Sequence, residues 1–538
     1  VIPLSVTRIG RNMSVKPVRG QRTQSIKSIP APRRGWIQNE NIAKHKDEGA
    51  AILDNWFPTS TGIRVRKGSS RYATVGAGAP ISALMPYRSG TLNKLFAATD
   101  AAIYDISTVV DANVSPTPVV TGQTSGDWSY TMFTTSGGTF LAMVNGANAR
   151  QIYNGTAFVT TPAITGGPGT NGSQFSHVWA YKERLFYIQK DTLNAWYHPV
   201  DSIGGAVSQF SLNGVFKLGG ALLFGSTWSF ESTGGGLADS CVFVTTEGEV
   251  AVYEGSTPGA SNWTLKGIYR VGRPLGKKAQ FKAGGDLIIA TDVGMIPVSS
   301  AIARDQAALS EAAVSYPIEE AWKAEVLTRR AQYSWNVEIW PTQQMCIVGM
   351  PSYGELSDQC FVINIRTGAW ARYTNWNCHS TALYGDRFFF GTDDGRVLEA
   401  ETGSTDDGNI YTASYVGLFE DLGAAGMLKS VQLARVNLLS VYPIQPQIFV
   451  CNDFVATVPL PPSAAAAIPN ASVWDTLLWD SGTWAAETAK LNVTQWQSVN
   501  GFGYSIAPGL QITIGGNVEP KIDLVQVDLS YERGGAIA

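Results

Sequence analysis

Along residues 93–404 the chain repeats one short pattern: an apolar stroke, a small polar turn and a second apolar stroke. NKLFAATDAAIYDIS from Asn93, ERLFYIQKDTLNAWYHP from Glu183, DSCVFVTTEGEVAVYEG from Asp239 and GDRFFFGTDDGRVLEAETG from Gly385 are four of seven copies. The apolar residues that open the copies are Leu95, Phe140, Leu185, Val242, Leu287, Ile347 and Phe388, at intervals of 45, 45, 57, 45, 60 and 41 residues. Strand–turn–strand units at a period of roughly 40 to 50 residues mark propeller blades, so the pattern predicts a mainly β fold with a closed β-propeller of up to seven blades. The turns suit it chemically. In Glu247-Gly248 and Asp394-Gly395 the glycine can take positive φ without a Cβ clash, and Asp394 can bond the nearby backbone.

One stretch breaks the β rhythm. Arg304 to Val314 is alanine-rich, and Pro317 stands where a second helix would begin, with Glu319 and Lys323 one turn apart. A small helical insertion near 301–333, resting on the propeller rim, is expected. From about Asp406 longer alternating strands replace the hairpins, as in SVQLARVNLLSVYP, and a Pro/Ala-rich stretch separates them. An additional β-rich, sandwich-like domain over 405–538 is expected there. Residues 37–84 read as a β-rich docking or platform segment, which leaves 85–404 for the propeller.

Charge changes this picture at one end. The 538 residues carry 40 Lys and Arg against 43 acidic residues, a net −3, with 15% charged, 11% aromatic and 56 glycines. Such a surface suits fixed contacts in an assembly and not a disordered or nucleic-acid-coating chain. Yet Arg8, Arg11, Lys16, Arg19, Arg22, Lys27, Arg33 and Arg34 occur before any carboxylate, which leaves −11 on the remainder. Residues 1–36 are therefore read as a basic N-terminal arm, either a solvated tail or a docking arm. No run of about 18 apolar residues occurs and the start lacks a signal-peptide core, so a soluble chain made in a cytoplasm, with no membrane span, is expected. The five cysteines form no CxxC pair and are expected as reduced, strand-buried thiols.

The search for chemistry returns decoys. GPGTNG at 167–172 matches GxGxxG but leads into a strand pattern, with no helix N-terminus to meet a pyrophosphate. GRPLGK at 272–277 is one residue short of a phosphate loop and is followed by Lys278 in place of Ser or Thr, so it reads as a turn. His45, His177, His198 and His379 share no metal-ligand spacing and offer little general-base capacity. Neither a catalytic set, a cofactor nor a metal is expected. Trp474, Trp479 and Trp484 recur every five residues, which fits neither one strand face nor one helix face. They are candidate partner-surface aromatics, with packing the plainer role.

A resemblance adds to this reading. LDNWFPTSTGIRVRKGSSRY (53–72), ADSCVFVTTEGEVAVYEGS (238–256), YRVGRPLGKKAQFKAGGDLIIATDVGMIPVS (269–299), NIRTGAWARYTNW (364–376) and FFGTDDGRVLEAETGSTDDG (389–408) are similar to segments of the tail tubular protein B, or tail nozzle, family of short-tailed bacteriophages. The packaged-DNA stabilisation proteins of related phages fill a similar place. The resemblance implies a structural virion protein, a homohexameric ring at the distal tail that contacts a tail adaptor protein and tail fibres or spikes. Such a ring continues the DNA channel, retains the genome and passes double-stranded DNA without sequence specificity during ejection. The Arg-rich arm departs from the family pattern. Two other readings stay open at this point. One is a carbohydrate-binding or carbohydrate-cleaving propeller at the host surface, which convergent carboxylates would favour. The other is a stand-alone protein-interaction propeller.

Overall fold

The computed structural model describes residues 24–39, 48–232, 236–330, 335–352, 354, 356–441, 444, 446–463, 490–516 and 519–534. Blade 1 comprises Ala83–Ser89, Leu92–Ala98, Ala102–Asp105 and Pro118–Thr121, and blade 2 Ser129–Thr135, Gly138–Val144, Gln151–Tyr153 and Phe158–Val159. Blade 3 holds Phe175–Tyr181, Arg184–Gln189, Asn194–Tyr197 and Ser208–Ser211, and blade 4 Leu222–Ser232, Gly236–Thr245, Glu249–Glu254 and Thr264–Arg270. Blade 5 has three strands, Gln280–Ala283, Asp286–Ala290 and Met295–Pro297. Blade 6 has four, Asn336–Trp340, Met345–Gly349, Gln359–Asn364 and Trp370–Thr374. Blade 7 is built from Ser380–Tyr384, Arg387–Gly391 and Arg396–Ala400, and its fourth strand, Ser69–Thr74, comes from before blade 1. The innermost strands of successive blades lie against one another, except that the inner strand of blade 4 meets the second strand of blade 5, and blade 7 returns to blade 1. The result is a closed seven-bladed β-propeller.

All seven repeat anchors fall on the second strand of a blade, and six of them are buried. These strands are covered on both faces by adjacent blades, so they read as continuous apolar runs. Gly248 (φ 84°) and Gly395 (φ 85°) occupy the left-handed region at hairpin turns of blades 4 and 7. The propeller therefore begins earlier than the 85–404 reading. Its closing strand lies inside 37–84, which is shared between propeller and platform.

The remaining strands form a sandwich whose one sheet is continuous with blade 6. The strand Ala50–Asp54 runs parallel to Trp370–Thr374 and extends that blade through Tyr411–Gly417, Ile506–Ile514 and Gln447–Asn452 into an eight-stranded sheet. A bidentate Arg372–Asp54 pair (2.8 and 2.7 Å) marks the junction. Facing it is a seven-stranded sheet centred on Lys429–Ser440 and Ile522–Arg533, with Trp56–Pro58 and Ile63–Val65 beside the latter. Val436, Leu438, Leu510, Ile512, Val527 and Leu529 fill the space between the sheets, in one core with Trp322, Trp335 and Trp370. The C-terminal β-rich region is thus sandwich-like but not separate, because its sheets recruit strands from residues 24–65.

The helical insertion exists with shifted boundaries. Helix α1 (Val298–Ala303) precedes the expected Arg304–Val314 stretch and α2 (Leu309–Ala312) lies inside it, while Arg304 itself is extended. Helix α3 (Glu319–Arg329) starts just after Pro317, with the Lys323–Glu319 pair in place. Trp322 of α3 is fully buried and donates Nε1–H to Thr291 O (2.9 Å). The insertion is therefore a wedge between blades 5 and 6 and the sandwich, more enclosed than a rim decoration. Among the described residues no helix is long and apolar enough to cross a membrane.

Candidate functional site at the propeller axis

Residues just before or within the innermost strands face the propeller axis, and there the chain places a group of buried polar side chains, among them Ser129, His177, Lys277, Asn336 and Ser380. A cavity of about 180 Å³ is lined by Leu84, Tyr130, His177, Lys277, Lys278, Gln280, Asn336 and Glu338, among others. The two lysines come from the segment GRPLGKK, a loop before blade 5 as its turn chemistry suggested. Lys277 donates to Asp127 O (2.9 Å) and Ser176 O (3.1 Å) and pairs with Asp127 Oδ2 (2.8 Å). Lys278 reaches Ser82 O (2.8 Å) and Asp127 Oδ1 (3.2 Å). Blade 5 is thereby clamped to blades 1, 2 and 3 across the axis. Burial opposes ionisation of Asp127, but the two ammonium groups outweigh it and hold its carboxyl well below the usual range.

The other blades are joined by a belt of neutral bonds. His177 sits buried between Ser129 Oγ (2.9 Å from Nδ1) and Gly225 O (2.9 Å from Nε2). Since a carbonyl only accepts, Nε2 carries the proton and Nδ1 accepts from Ser129. Burial pulls the His177 pKa down to about 3, so the ring stays neutral. This Ser–His pair has a carbonyl, and no carboxylate, behind the imidazole, which makes it a link between blades 2, 3 and 4. Asn336 donates to Cys378 O and His379 O and accepts from Thr381, and Ser380 donates to Ile81 O. Blade 6 is so tied to blade 7, and blade 7 to blade 1.

Glu338, on the inner strand of blade 6, differs from Asp127 in standing unpaired. Its carboxyl has no hydrogen-bond or ion-pair partner among the described residues, and burial alone raises its pKa from the ordinary 4.5 to about 7. A raised folded-state value means that the neutral form is the one the fold favours. Its contribution is complete below pH 4.5 and is lost as pH rises through 7. Unfolding measured from pH 5 to pH 8.5 is expected to show stability falling by up to about 3 kcal/mol from this group, at about 1.4 kcal/mol per pKa unit. Glu338→Gln is expected to remove that slope, and an unchanged slope would overturn the assignment.

A second buried charge locks the ring closure. Arg66 is fully buried, with Nε on Asn55 Oδ1 (2.8 Å) and a bidentate pair to Asp406 (2.9 and 2.6 Å). Its remaining N–H groups reach Lys67 O and Thr374 O, and its guanidinium lies 3.9 Å from the Tyr411 ring centroid and 5.0 Å from that of Trp376. Asn55, in the left-handed region at φ 62°, completes the site by bonding Thr374 and Thr412.

Of the residues singled out in the sequence, Arg8, Arg11, Lys16, Arg19 and Arg22 lie outside the described residues, as do Trp474, Trp479 and Trp484. Lys27 belongs to an edge strand, Gln24–Pro30, that pairs antiparallel with Ile522–Arg533, and its ammonium lies 3.8 Å from Glu420. Arg33 pairs with Glu48, and Arg34 is exposed. The last third of the proposed 1–36 arm is therefore part of the sandwich. GPGTNG does lead into a strand, Phe175–Tyr181. All five cysteines are buried free thiols, four of them in strands and Cys378 in a loop.

No family model matches the chain, and no curated protein matches it. Solved structures are similar at low identity. A computationally designed protein, Ika8, is 10% identical over 62% of this chain and all of its own, with a TM-score of 0.34. BBS1N, solved in complex with ARL6DN, is 9% identical over 66% of this chain and 99% of its own, with a TM-score of 0.35. YCF48 bound to D1 peptide is 11% identical over 63% of this chain and 96% of its own, with a TM-score of 0.33.

Proposed function

We propose that the chain is a structural virion protein of a short-tailed phage, one subunit of a homohexameric nozzle ring at the distal end of the tail. In this reading the ring continues the DNA channel, holds the packaged genome back and lets it pass during ejection. It meets a tail adaptor protein above and fibres or spikes at its side, and it is assembled in the host cytoplasm without catalysing a reaction. The resemblance of the five quoted segments supports it. Those segments also carry the ring closure, both axial lysines, Arg66 and Asp406, the parts that make this fold stiff.

The observation that carries the proposal furthest is the narrow, clamped axis. A cavity of about 180 Å³ crossed by a Lys–Asp–Lys clamp admits no polymer, whereas duplex DNA needs about 20 Å, given grooves of about 12 and 6 Å. A channel for duplex must then lie between subunits, with each propeller as a solid block in its wall. The acidic body suits such a wall. Negative charge lets DNA slide, while a continuous Lys/Arg lining would hold its phosphates. The carbohydrate-cleaving alternative wants two free carboxylates flanking a bond, and among the described residues the axis offers Glu338 alone, because Asp127 is spent on two lysines.

Electron microscopy of the purified protein at high concentration tests the proposal. A six-fold ring with an axial hole of about 20 Å or more is expected. Dispersed monomers, or a ring whose hole is too narrow for duplex, would sink it.

A further inference from the structure

The axial cavity holds hydrogen-bonding capacity that the clamp and the belt do not use. Three side chains at its wall, Tyr130 of blade 2, Gln280 of blade 5 and Glu338 of blade 6, have no side-chain hydrogen-bond or ion-pair partner among the described residues. Lys278 contributes as well, since two of its three N–H groups are taken by Ser82 O and Asp127. The charges that face the cavity are Lys277 and Lys278, Asp127 between them, and Glu338. His177 is neutral, and the titratable neighbours of Glu338, the Tyr130 phenol and the Cys346 thiol, are both kept protonated by burial. With Glu338 protonated the cavity therefore has one positive charge in excess. Its free groups are then an ammonium, a phenol, an amide and a carboxylic acid, each of which can donate a hydrogen bond.

We propose that this cavity is a binding site for a small oxyanion, a carboxylate or a phosphate of few heavy atoms, received by Lys278, Tyr130 and Gln280 with the carboxyl of Glu338 as a further donor. The size agrees. A space of about 180 Å³ equals about six waters at ~30 Å³ each, enough for acetate or inorganic phosphate. Binding is non-covalent, and it takes up a proton wherever Glu338 starts ionised. Affinity therefore falls as pH rises through 7, the value to which burial brings this carboxyl. A cation seated at Glu338 would give the opposite trend. The site belongs to one chain and holds whether or not chains assemble into a ring.

Titration calorimetry of the full chain with acetate and, in parallel, with inorganic phosphate tests the site, at pH 6 and pH 8.5 in chloride buffers. One saturable site per chain is expected for at least one probe, and which probe binds identifies the oxyanion. Binding should be at least about tenfold weaker at pH 8.5, because little of a group titrating near 7 is still protonated there. Glu338→Gln should bind with the pH dependence removed. The double variant Tyr130→Phe, Gln280→Ala leaves the clamp intact and should lose about tenfold or more, about 1.4 kcal/mol. No saturable binding of either probe to folded protein overturns the proposal. Affinity that rises with pH, or an undiminished double variant, does the same.

Discussion

Arg66→Met is expected to destabilise the protein by about 3 to 5 kcal/mol, the range for removing one partner of a buried ion pair. The loss comes less from the missing attraction than from what remains. Asp406, 5% exposed, would keep its charge among Trp376, Ser69 and the Tyr411 ring with its strongest partner gone. Burial works against the charge of Arg66 as well, and Asp406 overrides that to hold the guanidinium above its ordinary range. Chemical denaturation of the variant and the parent measures the difference. A loss under about 1 kcal/mol would mean that the pair is no better than a surface one. The double variant Arg66→Met, Asp406→Leu should recover part of the loss, because an apolar pair leaves no orphaned charge. The hydrogen bonds that Arg66 gives to Asn55 and Thr374 O are lost in both variants.

Trp322→Ala is expected to cost a similar 3 to 5 kcal/mol, about what deleting a fully buried tryptophan removes. Its ring lies 5.4 Å from Trp335, 6.0 Å from Phe361 and 6.4 Å from Trp370, centroid to centroid, so one side chain joins the insertion, blade 6 and the shared core. The truncation also strips Thr291 O of its Nε1–H donor. Trp322→Phe separates the two contributions. It keeps most of the packing and should lose about 1 to 3 kcal/mol, from the unpaired carbonyl and the smaller ring. Hydrogen exchange supplies an independent readout. Faster exchange in Glu319–Arg329 together with the strands flanking Ala50–Asp54 is expected for Trp322→Ala, and a loss confined to the helix would contradict the wedge.

Much of the propeller was legible because its second and third strands are doubly covered. Runs such as Leu185-Phe186-Tyr187-Ile188 and Phe388-Phe389-Phe390 are buried residue after residue, and glycine turns set them apart. The inner strands were harder to see. Ser129–Thr135 reads SYTMFTT and Ser380–Tyr384 reads STALY, because one face meets the polar axis. The closing strand Ser69–Thr74 and its partner Arg396–Ala400 lie at opposite ends of the propeller sequence, and no local pattern links them. The site hid for the same reason. Lys277 and Lys278 stand in a loop whose glycines announce a turn, and nothing local states that they meet Asp127, 150 positions away. Arg66 and Asp406 are 340 positions apart. The arm was over-extended because its basic residues mask the alternation of QSIKSIP, a strand with one buried residue, Ile29.

The strand Ser69–Thr74 is synthesised long before Arg396–Ala400, the ladder that receives it. At ribosomal rates of about 5 to 20 residues per second, roughly a quarter of a minute to a minute passes before its partner emerges. Throughout that wait blades 1 to 6 can only form an open arc, and the sealing event belongs to the final stage of folding. A nascent chain halted before blade 7 would thus present two unmatched borders at once, the sort of intermediate for which chaperones compete with self-association.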